Sequence, residues 1–418
     1  ETAEPTSATT NYEVTIGGNS ITKFRIPGIN FVVKDSTATE DYVLTVDANG
    51  EASWEAASGG TSTGQTYVNL KDSNGSASNS GTNTYAGYLA GAALGSGGNE
   101  NTFYGNKAGR AVVGGDENIA IGLSALERAT SGSKHVAIGA YALETVTTAD
   151  GLTAVGFEAL QENTSGTQNT AVGYQAGDEI TTGSDNAIFG SYAGDAQTTG
   201  SRSAFFGNNA GGSITTGTDN VAVGNNALLG CIEGNKNIAI GAYAADAWLN
   251  SGIVAIGHQC ATAATTANYT VGVGYQVFEY LTTGDNNTAV GHHAMNRVTT
   301  GQYNTAYGSS ALMYTQTASY NTAIGYKALG NETVTGDHNT SVGYSSLKSN
   351  TSGYGNTAIG KDSGLAVTTG YANTLLGRQT GQTMTTNYCC SYIGAMSGEY
   401  AEGNNNTAVG YYALRGSN

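Results

Sequence analysis

Histidine is the first residue type in this 418-residue sequence that could do chemistry, because closely spaced imidazoles are common metal ligands. His292 and His293 are adjacent, and His258 occupies the same position of an internal repeat as His292. That repeat separates His258 and His292 by two structural units, about 10 Å, so the two cannot share one ion within a chain. We therefore expect surface imidazoles and predict neither a metal site nor a cofactor.

Carboxylates are the second group, and Asp178, Glu179, Asp185 and Asp195 fall where the repeat predicts corners. A carboxylate pair can hydrolyse a glycan. No pair is distinct from the general acidic scatter, and a hydrolase would usually interrupt the repeat with larger loops to build a cleft. Calcium at these corners is an alternative, but the nine-residue Gly/Asp repeat of calcium rolls is absent. We predict that the protein is not an enzyme.

The four cysteines have neither a CxxC pairing nor the spacing of a zinc site. Cys260 occupies a repeat position that otherwise holds small residues, and Cys390 one that usually holds Asn. Cys231 and Cys389 match no motif. Free thiols without a function are the prediction.

Tyrosine is the commonest aromatic residue, with 26 copies. Tyrosines recur at the position directly after a repeated Gly, where they could stack on sugars or pack ring on ring along a sheet; among them are Tyr174, Tyr275, Tyr326, Tyr344 and Tyr411. The repeats nearest the end of the sequence are also rich in tyrosine. If the chain contacts a receptor, the predicted residues are Tyr388, Tyr392, Tyr400, Tyr411 and Tyr412.

These side chains are positioned by a repeat, "NTAxG", whose Gly recurs 20 times from Gly87 to Gly410. The 19 intervals average 17 residues, and none departs from 17 by more than one. Such a constant period predicts a parallel β-solenoid, because an inserted residue would shift every later ladder out of register. The fold class is therefore all-β, with about 20 coils of 17 residues, each predicted as two strands joined by a short connection and a tight turn.

Positions within the repeat predict how a coil is built. Asn stands four residues before the Gly in 14 of 20 copies and is predicted to form an amide ladder. The positions three and one before the Gly hold Thr, Val and Ile and are assigned to a thin core. The intervening Ala, as at Ala171, Ala239 and Ala408, is assigned with the Gly to a flat outer stripe. A column with such a stripe should bury it against copies of itself, so we expect a homotrimer.

The "NTAIG...AL...TTG" pattern resembles the head repeats of trimeric autotransporter adhesins, a left-handed parallel β-roll. It resembles still more closely the "NTAIGYxAL" arrays of phage-type tail fibres. The resemblance covers residues 76–418, the predicted shaft; residues 1–60 are predicted to be a small N-terminal β anchoring module and residues 61–75 a Gly/Ser-rich neck. Because similar fibres often end in a chaperone that cuts itself off, we expect that a continuation beyond Asn418 has been removed or forms a tip outside this sequence. Coverage of this end by another protein or chain is the alternative.

The resemblance implies the trimeric shaft of a tail fibre on a virion, bound through its N-terminal module to a tail or baseplate protein and contacting a host surface glycan or protein. A bacterial cell-surface adhesin or extracellular filament is the alternative, and a glycan-degrading tailspike is the enzymatic one. The net charge of −16 without a Lys/Arg cluster argues against nucleic acid as a partner. No run of 18 apolar residues occurs, so we predict no membrane insertion.

Overall fold

The computed structural model describes residues 42–46, 52–56, 83–94, 97–330 and 333–416. The chain divides into two units, residues 1–65 and 66–418. In the first unit, β1 (Tyr42–Val46) pairs antiparallel with β2 (Ala52–Ala56). The predicted neck and the rest of the predicted anchoring module lie outside the described residues.

The second unit is a parallel β-solenoid, as the repeat predicts. Twenty strands of three residues each follow one another, and each pairs in parallel with the strand one repeat away. Thr170, for example, lies opposite Ala187. In chain order the strands are β3 (Thr84–Ala86), β4 (Thr102–Tyr104), β5 (Ile119–Ile121), β6 (Val136–Ile138), β7 (Thr153–Val155), β8 (Thr170–Val172), β9 (Ala187–Phe189), β10 (Ala204–Phe206), β11 (Val221–Val223), β12 (Ile238–Ile240), β13 (Val254–Ile256), β14 (Val271–Val273), β15 (Thr288–Val290), β16 (Thr305–Tyr307), β17 (Thr322–Ile324), β18 (Thr340–Val342), β19 (Thr357–Ile359), β20 (Thr374–Leu376), β21 (Ser391–Ile393) and β22 (Thr407–Val409).

Each described coil contains one strand, so the prediction of two strands per coil is wrong. Beyond the strand the backbone turns repeatedly, because residues two and four positions after the Gly adopt left-handed φ angles. Gln175 has φ of 50° and Leu160 also has φ of 50°. A left-handed residue in every second position is incompatible with an extended strand. The remainder of the coil is therefore a series of turns held by hydrogen bonds to the next coil.

The predicted faces of the strand are reversed in the structure. The middle residue of the strand points inward: Ala171 and Ala239 are fully buried, and Ala408 is 7% exposed. The flanking residues, such as Thr170 and Val172, are only half-buried because they point out of the coil. The interior of a 17-residue coil is too narrow for two columns of branched side chains, so small residues fill it and the larger ones lie outside.

In the interior, a large side chain at one position is accompanied by glycine at the neighbouring positions. Phe205 replaces the usual Ala and is fully buried, and Gly194 and Gly211 lie beside it where other coils carry Leu. A Cβ atom on Gly194 would lie 2.7 Å from the Phe205 ring, and one on Gly211 would lie 2.8 Å from it. A large side chain therefore fits only where glycine vacates the adjacent position, which keeps the coils the same size.

The predicted amide ladder is present and lies inside the coil. The side-chain oxygen of Asn169 accepts hydrogen bonds from the backbone N–H of Asn186, at 3.0 Å, and from its side-chain amide, at 3.1 Å. The Asn169 amide nitrogen donates to the carbonyl of Gly183 at 2.7 Å. Each such Asn thus satisfies buried backbone groups that no strand reaches. His135 occupies one rung of the ladder, where its Nδ1 accepts from the Leu152 N–H at 3.3 Å.

Candidate functional site

The most distinctive surface of the solenoid is the outward face of its sheet. We call the two columns three and one positions before the repeated Gly the outward stripe; strands β3 to β22 supply all 40 of its positions. The first column is Thr in 11 coils, and the second is apolar or aromatic in every coil. Ile121 is 39% exposed, Phe206 40% and Tyr307 61%, so large apolar side chains meet solvent along the stripe.

The outward stripe carries no charged residue and no histidine at any of its positions. At the chain's charged content of 11%, about four or five of 40 positions would be charged. Charges are instead concentrated at the corners, five or six residues on either side of the Gly, as at Asp178, Glu179, Asp185 and Asp219. The solenoid therefore has one uncharged, largely apolar face and an acidic remainder.

The size of the stripe is that of a protein interface. Twenty strands spaced about 4.8 Å apart extend over roughly 90 Å, and two outward positions span about 7 Å along a strand. The projected area of about 600 Å² is at the upper end of the largest apolar patches on monomers. The accessible area is larger because side chains protrude, and a standard interface buries about 800 Å² per partner.

The five tyrosines predicted to contact a receptor differ in location. Tyr392 is fully buried because it lies in the inward position of β21, so that part of the prediction is wrong. Tyr411 is 66% exposed, and its ring centroid lies 4.1 Å from that of Tyr412. Tyr388 is partly exposed and stacks on Tyr371. Tyr400 is partly exposed at a different corner, and the receptor contact itself stays a prediction.

Aromatic side chains form ladders along the corners. Tyr354, Tyr371 and Tyr388 stack with centroids 4.9 and 4.8 Å apart and planes within 3°. Phe157 and Tyr174, from the position just after the Gly, stack at 5.2 Å. Ring-on-ring packing is thus observed for this position, and within a ladder each ring covers the face of its neighbour. A sugar can reach the edges of the inner rings but not their faces.

The histidines form part of another aromatic ladder. Tyr275 lies between His258 and His292, with centroid distances of 5.6 and 5.4 Å. His292 stacks on His293 at 3.9 Å, and the His293 Nε2 lies 2.8 Å from the Gln276 side-chain oxygen. Burial and the neighbouring imidazole lower the pKa of His293. The separation of His258 from His292 by a tyrosine agrees with their predicted placement two coils apart.

The acidic corners bring carboxylates together across coils. Burial first, and then repulsion by Glu158, Glu162, Glu179 and Asp195, raises the pKa of Asp178 to about 7. Burial also raises the pKa of Asp195. One Asp178 oxygen, Oδ1, is buried without a hydrogen-bond partner. Within the described ranges, no group of three or more His, Cys, Asp or Glu residues has the arrangement of a metal site.

The cysteines are the remaining residues that the sequence analysis considered. Cys231, Cys260 and Cys390 are buried and Cys389 is exposed, all as free thiols. Burial raises the pKa of Cys231 to about 11 and that of Cys260 to about 12, so both remain protonated thiols at neutral pH.

Over the part of the chain that the structure describes, no helix has the length and hydropathy of a membrane span.

Sequence reasoning missed the outward stripe because it placed Thr, Val and Ile in the core. Two signals in the sequence identify it. The ladder Asn and the middle Ala are two residues apart and so share a face, which assigns both to the interior. The columns on the opposite face contain no charge in 20 repeats, which is unusual for solvent-exposed positions.

Comparison with protein-family models, with curated proteins and with solved structures gives no match to this chain. The fold is therefore established by the repeat and its hydrogen bonds.

Proposed function

We propose that the solenoid is the trimeric shaft of a phage-type tail fibre, a structural protein without enzymatic activity that attaches its particle to a host cell surface. The observation that carries this proposal is the outward stripe, which extends without a charge along an uninterrupted column of coils. A face of this kind is suited to permanent burial along its whole length, which an assembled fibre provides.

A second copy of this chain is the partner that fits the stripe best. Its strands have the same spacing of about 4.8 Å, so copies packed in parallel repeat the same contact at every coil. Each copy carries a net charge of −16, so association is favourable only where uncharged surfaces meet. The sequence analysis assigned the contact between copies to the Ala/Gly stripe. Because those alanines are buried within their own coil, we assign that contact to the outward stripe instead.

The two columns of the stripe are compatible with the proposed cyclic trimer. On one chain the Thr-rich column can contact one neighbour while the Val/Ile column contacts the other, as closed cyclic symmetry requires. Ala187 and Ala204, the two alanines of the first column, share strands with Phe189 and Phe206, the two phenylalanines of the second. In a parallel, in-register trimer, each phenylalanine would therefore face an alanine of its neighbour.

The biological setting rests on the resemblance of the repeat to tail-fibre arrays. In this setting the N-terminal module binds a tail or baseplate protein, the fibre belongs to the virion tail, and a host surface glycan or protein is the receptor. A bacterial cell-surface adhesin or extracellular filament is the alternative, and a glycan-degrading tailspike is the enzymatic one. Tail and capsid genes beside the coding gene would support the virion, and degradation of a host polysaccharide would support the tailspike.

The assembly is tested by placing charge on the stripe. Ile240→Glu combined with Ile324→Glu puts two carboxylates on the outward face of each copy, six in a trimer. We expect native mass spectrometry to find trimers of the wild-type chain and monomers of this variant. Burying unpaired carboxylates in an interface costs several kcal/mol each, enough to dissociate the assembly.

The matched control is Ile232→Glu combined with Leu249→Glu, which replaces apolar residues that are 52% and 46% exposed but lie at a corner away from the stripe. This variant should remain trimeric. A monomeric wild-type chain, or equal dissociation of the two variants with circular dichroism unchanged, would contradict the proposal.

A further inference from the structure

The corner that carries Tyr400 departs from the repeat. Nine coils turn there through a "TTG" or "TSG" sequence, but the interval from Gly394 to Gly410 is 16 residues, and Ala401, Glu402 and Gly403 replace that corner. The column of threonine hydroxyls along this corner ends at the same place. Thr368 donates to the carbonyl of Thr385 at 3.1 Å, whereas the hydroxyl of Thr385 donates to no group in the described chain.

A cavity of about 470 Å³ lies in the surface at this corner. Its walls include the side chains of Thr385, Thr386, Asn387, Tyr400 and Glu402. A second cavity, of about 210 Å³, adjoins it and is also lined by Glu402. The larger cavity alone is within the size range of small-molecule sites, about 300–1,000 Å³.

Several polar groups in the cavity are free for a ligand. The Asn387 amide nitrogen donates to the Gly403 carbonyl at 2.6 Å, which leaves its side-chain oxygen as an acceptor. The hydroxyls of Thr385 and Thr386 and the Glu402 carboxylate have no hydrogen-bond partner in the described structure. These groups can accept from, and the threonines can donate to, several hydroxyl groups of one ligand.

Tyr400 adds an aromatic ring that belongs to no ring ladder, and the Arg415 guanidinium carbon lies 5.8 Å from its centroid. Its neighbours at the same position of the adjacent coils are Thr383 and Gly416, so no ring stacks on it, whereas Tyr371 is covered on both faces. An aromatic ring beside several hydroxyl-bonding groups matches a pyranose ring, which has an apolar face and polar edges.

The charges select a neutral ligand. Glu402 is the charged side chain of the larger cavity, and no cation lines it. The nearest cation, Arg415 of the smaller cavity, is bound to Glu399 at 2.8 Å, and its guanidinium carbon lies 4.4 Å from the Tyr412 ring centroid and 5.8 Å from that of Tyr400. An acidic sugar or a phosphate would therefore be repelled by Glu402 and by the net charge of the chain.

We propose that the cavity between Thr385, Asn387, Tyr400 and Glu402 binds a neutral saccharide. This site deepens the attachment role proposed above, because it gives the fibre a ligand class and a place to bind it. It assigns the contact to Tyr400 among the five tyrosines suggested by the sequence.

Saturation-transfer difference NMR on the full chain tests the site with maltose, lactose, chitobiose and mannobiose, and with sialyllactose as the acidic comparator. We expect at least one neutral disaccharide to bind and sialyllactose to bind more weakly than lactose. Tyr400→Ala and Thr386→Val should each weaken binding at least about tenfold. Thr386→Val keeps the shape of the corner, so it remains informative if Tyr400→Ala unfolds by circular dichroism.

Tyr280→Ala is the matched control. Tyr280 occupies the same position of its coil as Tyr400 and lies 5.4 Å from Arg297, but it is followed by a complete "TTG" corner. Its replacement should leave binding unchanged. The site is refuted if no neutral disaccharide binds, if sialyllactose binds as well as lactose, or if Tyr280→Ala weakens binding as much as Tyr400→Ala. Fibres that attach to cells equally with and without Tyr400→Ala would refute this site alone, whereas saccharide binding without any attachment to cells would refute the proposed function alone.

Discussion

The side-chain oxygen of Asn287 accepts a hydrogen bond from the backbone N–H of Asn304, 2.9 Å away in the next coil. Asn304 repeats this contact with the N–H of Asn321 at 2.9 Å, and its amide nitrogen donates to the Ala318 carbonyl at 2.8 Å. The ladder thus satisfies buried backbone groups in the turn before each strand, where the sheet itself provides no hydrogen bonds. It links each coil to the next through the interior.

Asn304→Ala should destabilise the solenoid by about 2–4 kcal/mol, because it leaves the Asn321 N–H and the Ala318 carbonyl buried without partners. Thermal unfolding followed by circular dichroism measures the loss. Asn225→Ala, which removes an exposed amide, should change stability by less than about 0.5 kcal/mol. Equal effects would mean that the ladder does not stabilise the coil.

The repeated Gly should tolerate no substitution. Gly173 has φ of 146°, and a Cβ atom there would collide with the carbonyl oxygen of Gly190 in the next coil. Gly173→Ala should therefore cost about 3 kcal/mol or more in unfolding free energy, from backbone strain and overpacking together. Gly114→Ala is the comparison, since a Cβ atom on Gly114 would have no heavy atom within 4 Å and φ is not left-handed. That variant should be neutral or stabilising by up to about 1 kcal/mol.

The period and the amide ladder were predictable because both follow from residues that recur at a fixed spacing. The orientation of the strand was not predicted correctly, although Asn169 and Ala171 share a face and the ladder places Asn169 inside the coil. The prediction followed the general preference for Val and Ile in cores, and the narrow coil reverses that preference by excluding branched side chains. The cavity beside Tyr400 lies in an interval, Gly394 to Gly410, that is one residue short, and its shape is not revealed by the repeat alone.

Stability should fall as pH rises from about 4 to about 7 because of Asp178. Its pKa is raised in the fold from the ordinary value of 3.8 to about 7, so the folded state favours the protonated form. The stabilisation is complete below 3.8 and is lost as pH rises through about 7. Asp178→Asn, which stays uncharged, should raise the melting temperature at pH 8 and flatten its dependence on pH in this window.

Asp219→Asn is the control, because the pKa of Asp219 is shifted in the opposite direction to that of Asp178. The Arg202 guanidinium, 2.8 Å from the Asp219 carboxylate, lowers the pKa of that group, so its ionised form is favoured by folding. The substitution should not raise the melting temperature at pH 8. If Asp178→Asn also leaves that temperature unchanged, neither burial nor the surrounding carboxylates raise the pKa of Asp178 in solution.

A buried amide outside the ladder should weaken the solenoid. Asn163 is fully buried, and neither its amide nitrogen nor its side-chain oxygen has a hydrogen-bond partner in the described structure. The same position holds Val146 in the preceding coil and Ile180 in the following one, both fully buried. Asn163→Val should therefore raise the unfolding free energy by about 1–2 kcal/mol, since it replaces an unsatisfied polar group with an apolar one of similar size.

Asn169→Val, six residues further on, is the decisive comparison because it makes the same substitution in another fully buried Asn. Asn169 belongs to the ladder, and its loss leaves the Asn186 N–H and the Gly183 carbonyl unpaired. We expect destabilisation of about 2–4 kcal/mol for this variant, measured by the same thermal unfolding. Opposite signs for two identical substitutions would show that stability depends on the ladder contacts and not on the number of buried amides. A destabilising Asn163→Val would instead mean that its amide has a partner, such as a buried water.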